Sequence, residues 1–104
     1  MLIQINTDNN IQGDVGKINH FSSILESTLG RFSQHITRIE AHLSDENSKK
    51  EGTSDKKCML EVRVKGLQPI AVTHKAESLD FAVNGAAEKM KNALETTIVK
   101  IRTH

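Results

Sequence analysis

The chain has 104 residues, 37% of them hydrophobic and 26% charged, which suffices for one small hydrophobic core and leaves no room for a second domain. Its aromatic inventory is three Phe with no Trp or Tyr, which argues against the stacking platforms on which RNA-recognition sheets and single-strand binders hold bases. Fourteen Lys and Arg stand against thirteen Asp and Glu, so the sum gives no electrostatic footprint for nucleic acid and only the placement of charge can provide one.

Met1, Ile3 and Ile5 alternate with Leu2, Gln4 and Asn6, which predicts a short first strand with one buried face. The turn formers Asp8, Asn9, Asn10 and Gly13 follow. Ile18, Phe21, Leu25, Thr28, Leu29 and Phe32 then fall three and four apart and line one face of a helix. Asp14 is placed to cap its start, and Gly30 to end it by a left-handed stop or a weakened last turn. From Ile36 onward, Thr37, Ile39, Ala41 and Leu43 alternate with Arg38, Glu40 and His42, the pattern of a half-exposed second strand.

Residues 44–57 include no apolar side chain and are expected to form a mobile polar loop. Cys58, Leu60, Val62 and Val64 form the inner face of a third strand. After Gly66 and Pro69, Ile70, Val72 and His74 form that of a fourth. From about Ser78 to Arg102 a stripe of helical period runs through Leu79, Val83, Ala86, Ala87, Met90, Leu94, Thr97, Ile98 and Ile101. Glu77 and Ser78 suit the start of this longest helix, and Lys100 and Arg102 its negative end.

The order strand, helix, three strands, helix, with each strand apolar on one face, predicts an α+β fold. It is a two-layer β-α-β-β-β-α sandwich of a four-stranded mixed sheet with both helices on one face, the whole chain 1–104 forming a single domain. Strands one and two are expected to pair in parallel through a right-handed crossover. The opposite sheet face, with Arg38, Glu40, His42, Glu61, Arg63 and Lys75, stays wet.

The charge is polarised along the chain. Residues 1–55 carry five basic and eight acidic side chains, a net −3, and residues 56–104 carry nine and five, a net +4. One cysteine, Cys58, permits neither an intramolecular disulfide nor a multi-cysteine zinc site and predicts an intracellular, cytoplasmic setting. No apolar run exceeds three residues, so neither a standard secretion signal nor a membrane span is expected.

Catalytic motifs are missing: there is no phosphate-cradling glycine loop, no nucleophile elbow and no spaced set of metal ligands. The expectation is a protein that is not an enzyme and uses no cofactor, metal or small-molecule substrate. His35, His42, Asp45 and Glu46 come nearest to a divalent-metal set. In a strand the two histidines point to opposite faces, so a solvated strand end explains them better. Cys58 falls on the apolar face and reads as core, and His74 as a partly buried, hydrogen-bonded histidine. Lys89, Lys91, Lys100 and Arg102 lie off the helical stripe, and with Lys75, Arg63 and Lys65 they suit phosphate contact by charge. A helix surface neutralised by Glu88 and Glu95 fits the same spacing equally well.

Three stretches carry a family resemblance: Ile3-Gln4-Ile5-Asn6-Thr7, residues Arg31 to Leu43, and residues Phe81 to Met90. In them the chain resembles the short ribosome-associated inhibitor and hibernation-promoting factor family of bacteria, the sigma-54 modulation protein-like proteins. The third stretch is the most specific. Phe81, Ala82, Val83, Asn84, Lys89 and Met90 occupy the places of the family's aromatic, small, aliphatic, Asp and Lys-aliphatic positions, with Asn84 in place of Asp. The helix is also less basic than is typical, since Glu88, Glu95, Thr96 and Thr97 stand among its cations.

The resemblance implies a fold like that of double-stranded-RNA-binding domains, a seat in the tRNA and mRNA channel of the small ribosomal subunit, and a block on translation in stress or stationary phase. Carried over by position, Lys89 is the leading ribosomal-RNA contact, followed on the same helix by Lys91, Lys100 and Arg102, with Arg38 on strand two; charge adds Lys75 and Arg63. With the chain ending at His104, the dimerisation domain of long members is expected to be absent. The alternative is a protein-interaction module of the same fold whose exposed sheet or polar loop binds a non-ribosomal regulatory partner.

Overall fold

Period-two alternation becomes four strands and period-3.6 alternation two helices, in the order β1 (Leu2–Thr7), α1 (Val15–Leu29), a 3₁₀ turn (Gly30–Phe32), β2 (Ile36–Asp45), β3 (Lys56–Val64), β4 (Ile70–Ala76) and α2 (Leu79–Arg102). The computed structural model describes residues 1–8, 11, 14–45 and 56–102, and of residues 99–102 the backbone alone. The strands form one sheet in the order β1-β2-β3-β4. β1 runs parallel to β2, with Ile3 opposite Ile39, and the other pairs are antiparallel. This is the expected mixed sheet, with α1 as the crossover that a parallel pair requires.

Both helices cover the same face. Phe21, Leu25 and Leu29 of α1 and Ala82, Val83, Ala86, Ala87, Met90, Leu94 and Ile98 of α2 share one core with the inward residues of β2 and β3. Ile3, Ile5, Ile70 and Val72 pack against its margins from the two edge strands. Ala82, Ala86 and Ala87 are fully buried, and their small side chains let α2 lie close to the sheet. Met1, expected inward, precedes β1 and is 41% exposed.

Local rules explain the element ends. The Asp14 side chain accepts a hydrogen bond from Lys17 N at 2.8 Å and caps α1. Of the two roles expected of Gly30, the left-handed stop is not taken, since its φ of −59° is right-handed. The chain therefore tightens into a 3₁₀ turn, and Ser33 N donates to the Gly30 carbonyl at 3.0 Å. That turn buries Phe32 and delivers Ile36 to the core. Gly66, in the β3–β4 turn, has φ of +76°, a conformation that β-carbon sterics make costly for other residues.

Strand β2 corrects a second expectation. Thr37 is exposed and Ile36 buried, because the pairing skips a residue between Ile36 and Arg38, leaving Ile36 opposite Val64 and Arg38 opposite Arg63. This bulge lets Ile36 and Ile39, three apart, both face inward. Thr37 turns its hydroxyl to the Arg63 carbonyl at 3.3 Å.

The polar segment 44–57 is a third correction at its ends. Ser44 pairs with Lys57 and Asp45 with Lys56 as ladder residues. The Lys56 ammonium lies 3.2 Å from the Asp45 carboxylate, and Asp45 N donates to the Asp8 carboxylate at 3.2 Å. Backbone pairing and these contacts carry both strands past their last apolar residue. Residues 46–55, the rest of the expected loop, lie outside the described residues.

Candidate functional site

The uncovered sheet face presents its charges in rows set by the strand register. Leu2, Arg38 and Arg63 are neighbours in one row, and Gln4, Glu40, Glu61 and Ala71 in the next. Asn6, His42, Met59 and Thr73 form a third, and Ser44, Lys57 and Lys75 a fourth. Like charges thus sit directly opposite one another at three places, an arrangement that costs stability in an isolated sheet.

Polar contacts along β2 relieve part of that cost. Arg38 Nε lies 3.1 Å from Glu40 Oε1, and Arg38 Nη2 donates to the Gln4 side-chain oxygen. The second Glu40 oxygen is 3.5 Å from His42 Nε2, whose other ring nitrogen is 3.5 Å from the Asn6 amide. Arg38 Nε is shielded from solvent, and although its distance to Glu40 is that of an ion pair, it makes no aligned hydrogen bond. Arg63 differs from Arg38. Its guanidinium is exposed and, among the described residues, has neither an ion pair nor a hydrogen bond.

The described cations of α2, Lys89 and Lys91, lie off the open sheet face and are each engaged. Lys89 Nζ donates to the backbone carbonyl of Thr73 in β4 at 2.8 Å. Lys91 Nζ pairs with Glu88 at 3.1 Å, one helical turn back. Glu95 is taken by Arg31 at 2.9 Å, and the Arg31 guanidinium also stacks 4.7 Å over Phe32. Lys100 and Arg102 occupy the end of α2, where only the backbone is described. The structure therefore distributes the seven sequence-selected cations: Arg38, Arg63 and Lys75 on the open sheet, Lys89 and Lys91 on two flanks of α2, and Lys100 and Arg102 at its end. It brings Arg38 and Arg63 together and does not join either to Lys89 or Lys91.

The remaining candidates behave as structural groups. Cys58 is fully buried, and burial pushes its thiol up to about 12, so it has almost no thiolate at neutral pH. The His74 ring lies against α2 at Gly85, where an added β-carbon would sit 2.1 Å from His74 Cδ2. His35 precedes β2 and its carbonyl accepts from Lys65 N at 2.9 Å, while His42 belongs to the open face. Among the described residues no three His, Cys, Asp or Glu side chains converge on a metal-sized site, and Glu46 is outside them. A groove of about 650 Å³ opens between the starts of the two helices, lined by Lys17, Phe21, Lys56 and Glu77 among others. The 3.0 Å contact of His20 Nε2 with Asp80 links the two helices there. No described helix is long and apolar enough to cross a membrane.

Sequence reasoning missed the Arg31–Glu95 and Arg38–Glu40 pairs. The second had a signal, since residues two apart on a strand share a face; the first joins distant elements and had none.

Two solved structures share this architecture. The N-terminal domain of Thermus thermophilus Protein Y superposes with a TM-score of 0.75 at 14% identity, over 93% of this chain and 99% of that one. A ribosomal subunit interface protein from Coxiella burnetii gives 0.71 at 15% identity, over 95% and 99%. No curated protein sequence matches the chain. The family model described as sigma 54 modulation protein / S30EA ribosomal protein matches residues 10–102, and on that span, covering both helices, β2 to β4 and the stretch from Phe81 to Met90, the chain belongs to that family.

Proposed function

We propose that the protein is a cytoplasmic, ribosome-associated factor that enters the tRNA and mRNA channel of the small subunit and holds back translation in stress or stationary phase. Family membership supports the ribosome as its partner. The observation that carries the mode of binding is the spread of cations over more than one side of a narrow body, 50 × 25 × 20 Å along its principal axes. Arg38, Arg63 and Lys75 lie on the sheet face and Lys89 and Lys91 on α2. A protein that docked on one flat RNA surface would gather such charges on one face; one enclosed by RNA gains from having them on several sides. Contact is with phosphates rather than stacked bases, since of the three Phe only Phe81 is exposed.

Within this reading Arg63 is the strongest ribosomal-RNA contact, because it has no partner among the described residues to give up. Arg38 and Lys91 must exchange Glu40 and Glu88 for phosphate, and Lys89 must leave the Thr73 carbonyl. Lys75, Lys100 and Arg102 complete the set. The test is cosedimentation with small subunits across a salt series, for the natural chain and for Arg63→Glu, Lys91→Glu and the two combined. We expect pelleting at low salt that weakens as salt rises, and a log–log salt slope that falls by about one for each phosphate contact removed. Arg63→Glu should lose more than Lys91→Glu. Absence of pelleting at every salt concentration overturns ribosome association, and pelleting indifferent to both substitutions overturns the charge-mediated contact.

A further inference from the structure

β4 is an edge strand: it pairs with β3 on one side and, among the described residues, has no strand on the other. Such an edge is a template for another chain, and natural proteins obstruct it with charge, above all with lysine. Here Thr73 is the middle residue of the seven in Ile70–Ala76, and its carbonyl is the acceptor that Lys89 Nζ takes at 2.8 Å from across α2.

The strand itself favours self-pairing. An antiparallel two-fold through Thr73 sets Ile70 against Ala76, Ala71 against Lys75 and Val72 against His74. It opposes no like charges, because Lys75 is the only charged residue of β4. Ala71, Thr73 and Lys75 are exposed, and Ile70, Val72 and His74 half-buried, so both faces of the joined sheet keep their polarity across the junction. What opposes the pairing is Lys89, which obstructs the central carbonyl and would meet its own copy across the two-fold. We propose that Lys89 guards the β4 edge, and that the partner excluded is a second copy of this chain, which would otherwise join edge to edge into an eight-stranded sheet.

This inference does not depend on ribosome binding and is tested without ribosomes. Sedimentation velocity over a range of concentrations is compared for the natural chain, Lys89→Arg, Lys89→Met, and Lys89→Met combined with Ala71→Lys or Ala71→Glu. Lys89 is exposed and Met retains helix propensity and an apolar stem, so each variant should keep the natural circular dichroism spectrum. Lys89→Met should dimerise at a concentration at least tenfold below that of the natural chain, and Lys89→Arg should behave like the natural chain. In the Lys89→Met background, Ala71→Lys should abolish the dimer by facing Lys75, and Ala71→Glu should tighten it. A Lys89→Met variant that associates no more than the natural chain overturns the guard, and a dimer insensitive to the charge at position 71 overturns the β4 register.

Discussion

The two faces of the sheet are built from alternate residues of the same strands, yet they follow opposite rules. In β3, Cys58, Leu60, Val62 and Val64 are buried, while Met59, Glu61 and Arg63 between them face solvent or are half-exposed. The covered face contains no buried polar or charged side chain among the described residues, whereas the open face sets Arg38 beside Arg63 and Glu40 beside Glu61. One face therefore supplies the free energy of folding. The other tolerates charge repulsion that folding alone would remove.

The largest expected contrast lies within one strand, β3. Leu60→Ala should cost about 2–5 kcal/mol, since it opens a cavity in a fully buried site. Arg63→Ala, three residues along on the open face, should stay within about 0.5 kcal/mol. Urea denaturation of the two variants measures both, and equal costs would break the division between the faces.

Cys58 probes the covered face through pH. Its folded-state pKa, pushed up to about 12 from an ordinary 9.0, means that the folded chain holds a proton the unfolded chain releases. The resulting stabilisation is complete below pH 9 and is lost as pH rises towards 12. It contributes a slope of up to about 1.4 kcal/mol per pH unit in that window. Cys58→Ala should flatten the alkaline loss of stability, and thiol alkylation of the native chain at pH 8 should proceed only as fast as the sheet opens. Rapid alkylation would place Cys58 outside the core.

Gly85 tests how closely the helices sit on that face. Gly85→Ala must displace the His74 ring, at an expected cost of about 1–3 kcal/mol. Because the penalty arises from one pair of groups, His74→Ala should relieve most of it. A double-mutant cycle by thermal or urea denaturation would show this as a coupling of the two sites. Additive losses would mean that the ring does not occupy the space against Gly85.

Much of this division was legible before the fold was known. The alternation in β3 and the stripe in α2 follow directly from burial on one side, and they fixed the layers and their order. What stayed illegible depends on contacts between distant elements. The bulge at Thr37 is invisible to a strict period of two, because Ile36 and Ile39 face inward only once β3 has set the register. The strand ends at Asp45 and Lys56 lack the apolar residues by which strands are recognised and are held by pairing and charge. The engagement of Lys89 with the Thr73 carbonyl joins α2 to β4, and no spacing along the chain encodes it. The candidate site was less legible than the fold for the same reason: charge counts identify cations, but only the packed structure shows that Lys91 has a partner and that Arg63 has none among the described residues.

The smallest expected effect belongs to the open face itself. Arg38→Ala removes an ion pair with Glu40 and a hydrogen bond to Gln4, both at the solvent boundary. Exposed pairs contribute about 0–1 kcal/mol, because water and salt screen them and both side chains lose freedom in forming them. Arg38 also faces Arg63 across the strand, so its removal relieves a repulsion that offsets part of the loss. Stability should therefore fall by less than about 1 kcal/mol, and by less still in high salt. A loss above about 2 kcal/mol in urea denaturation would show that the Arg38–Glu40–His42 chain is part of what holds the sheet together. A loss below it leaves these charges with little share in folding, which is the condition under which they are free to exchange their partners for phosphate.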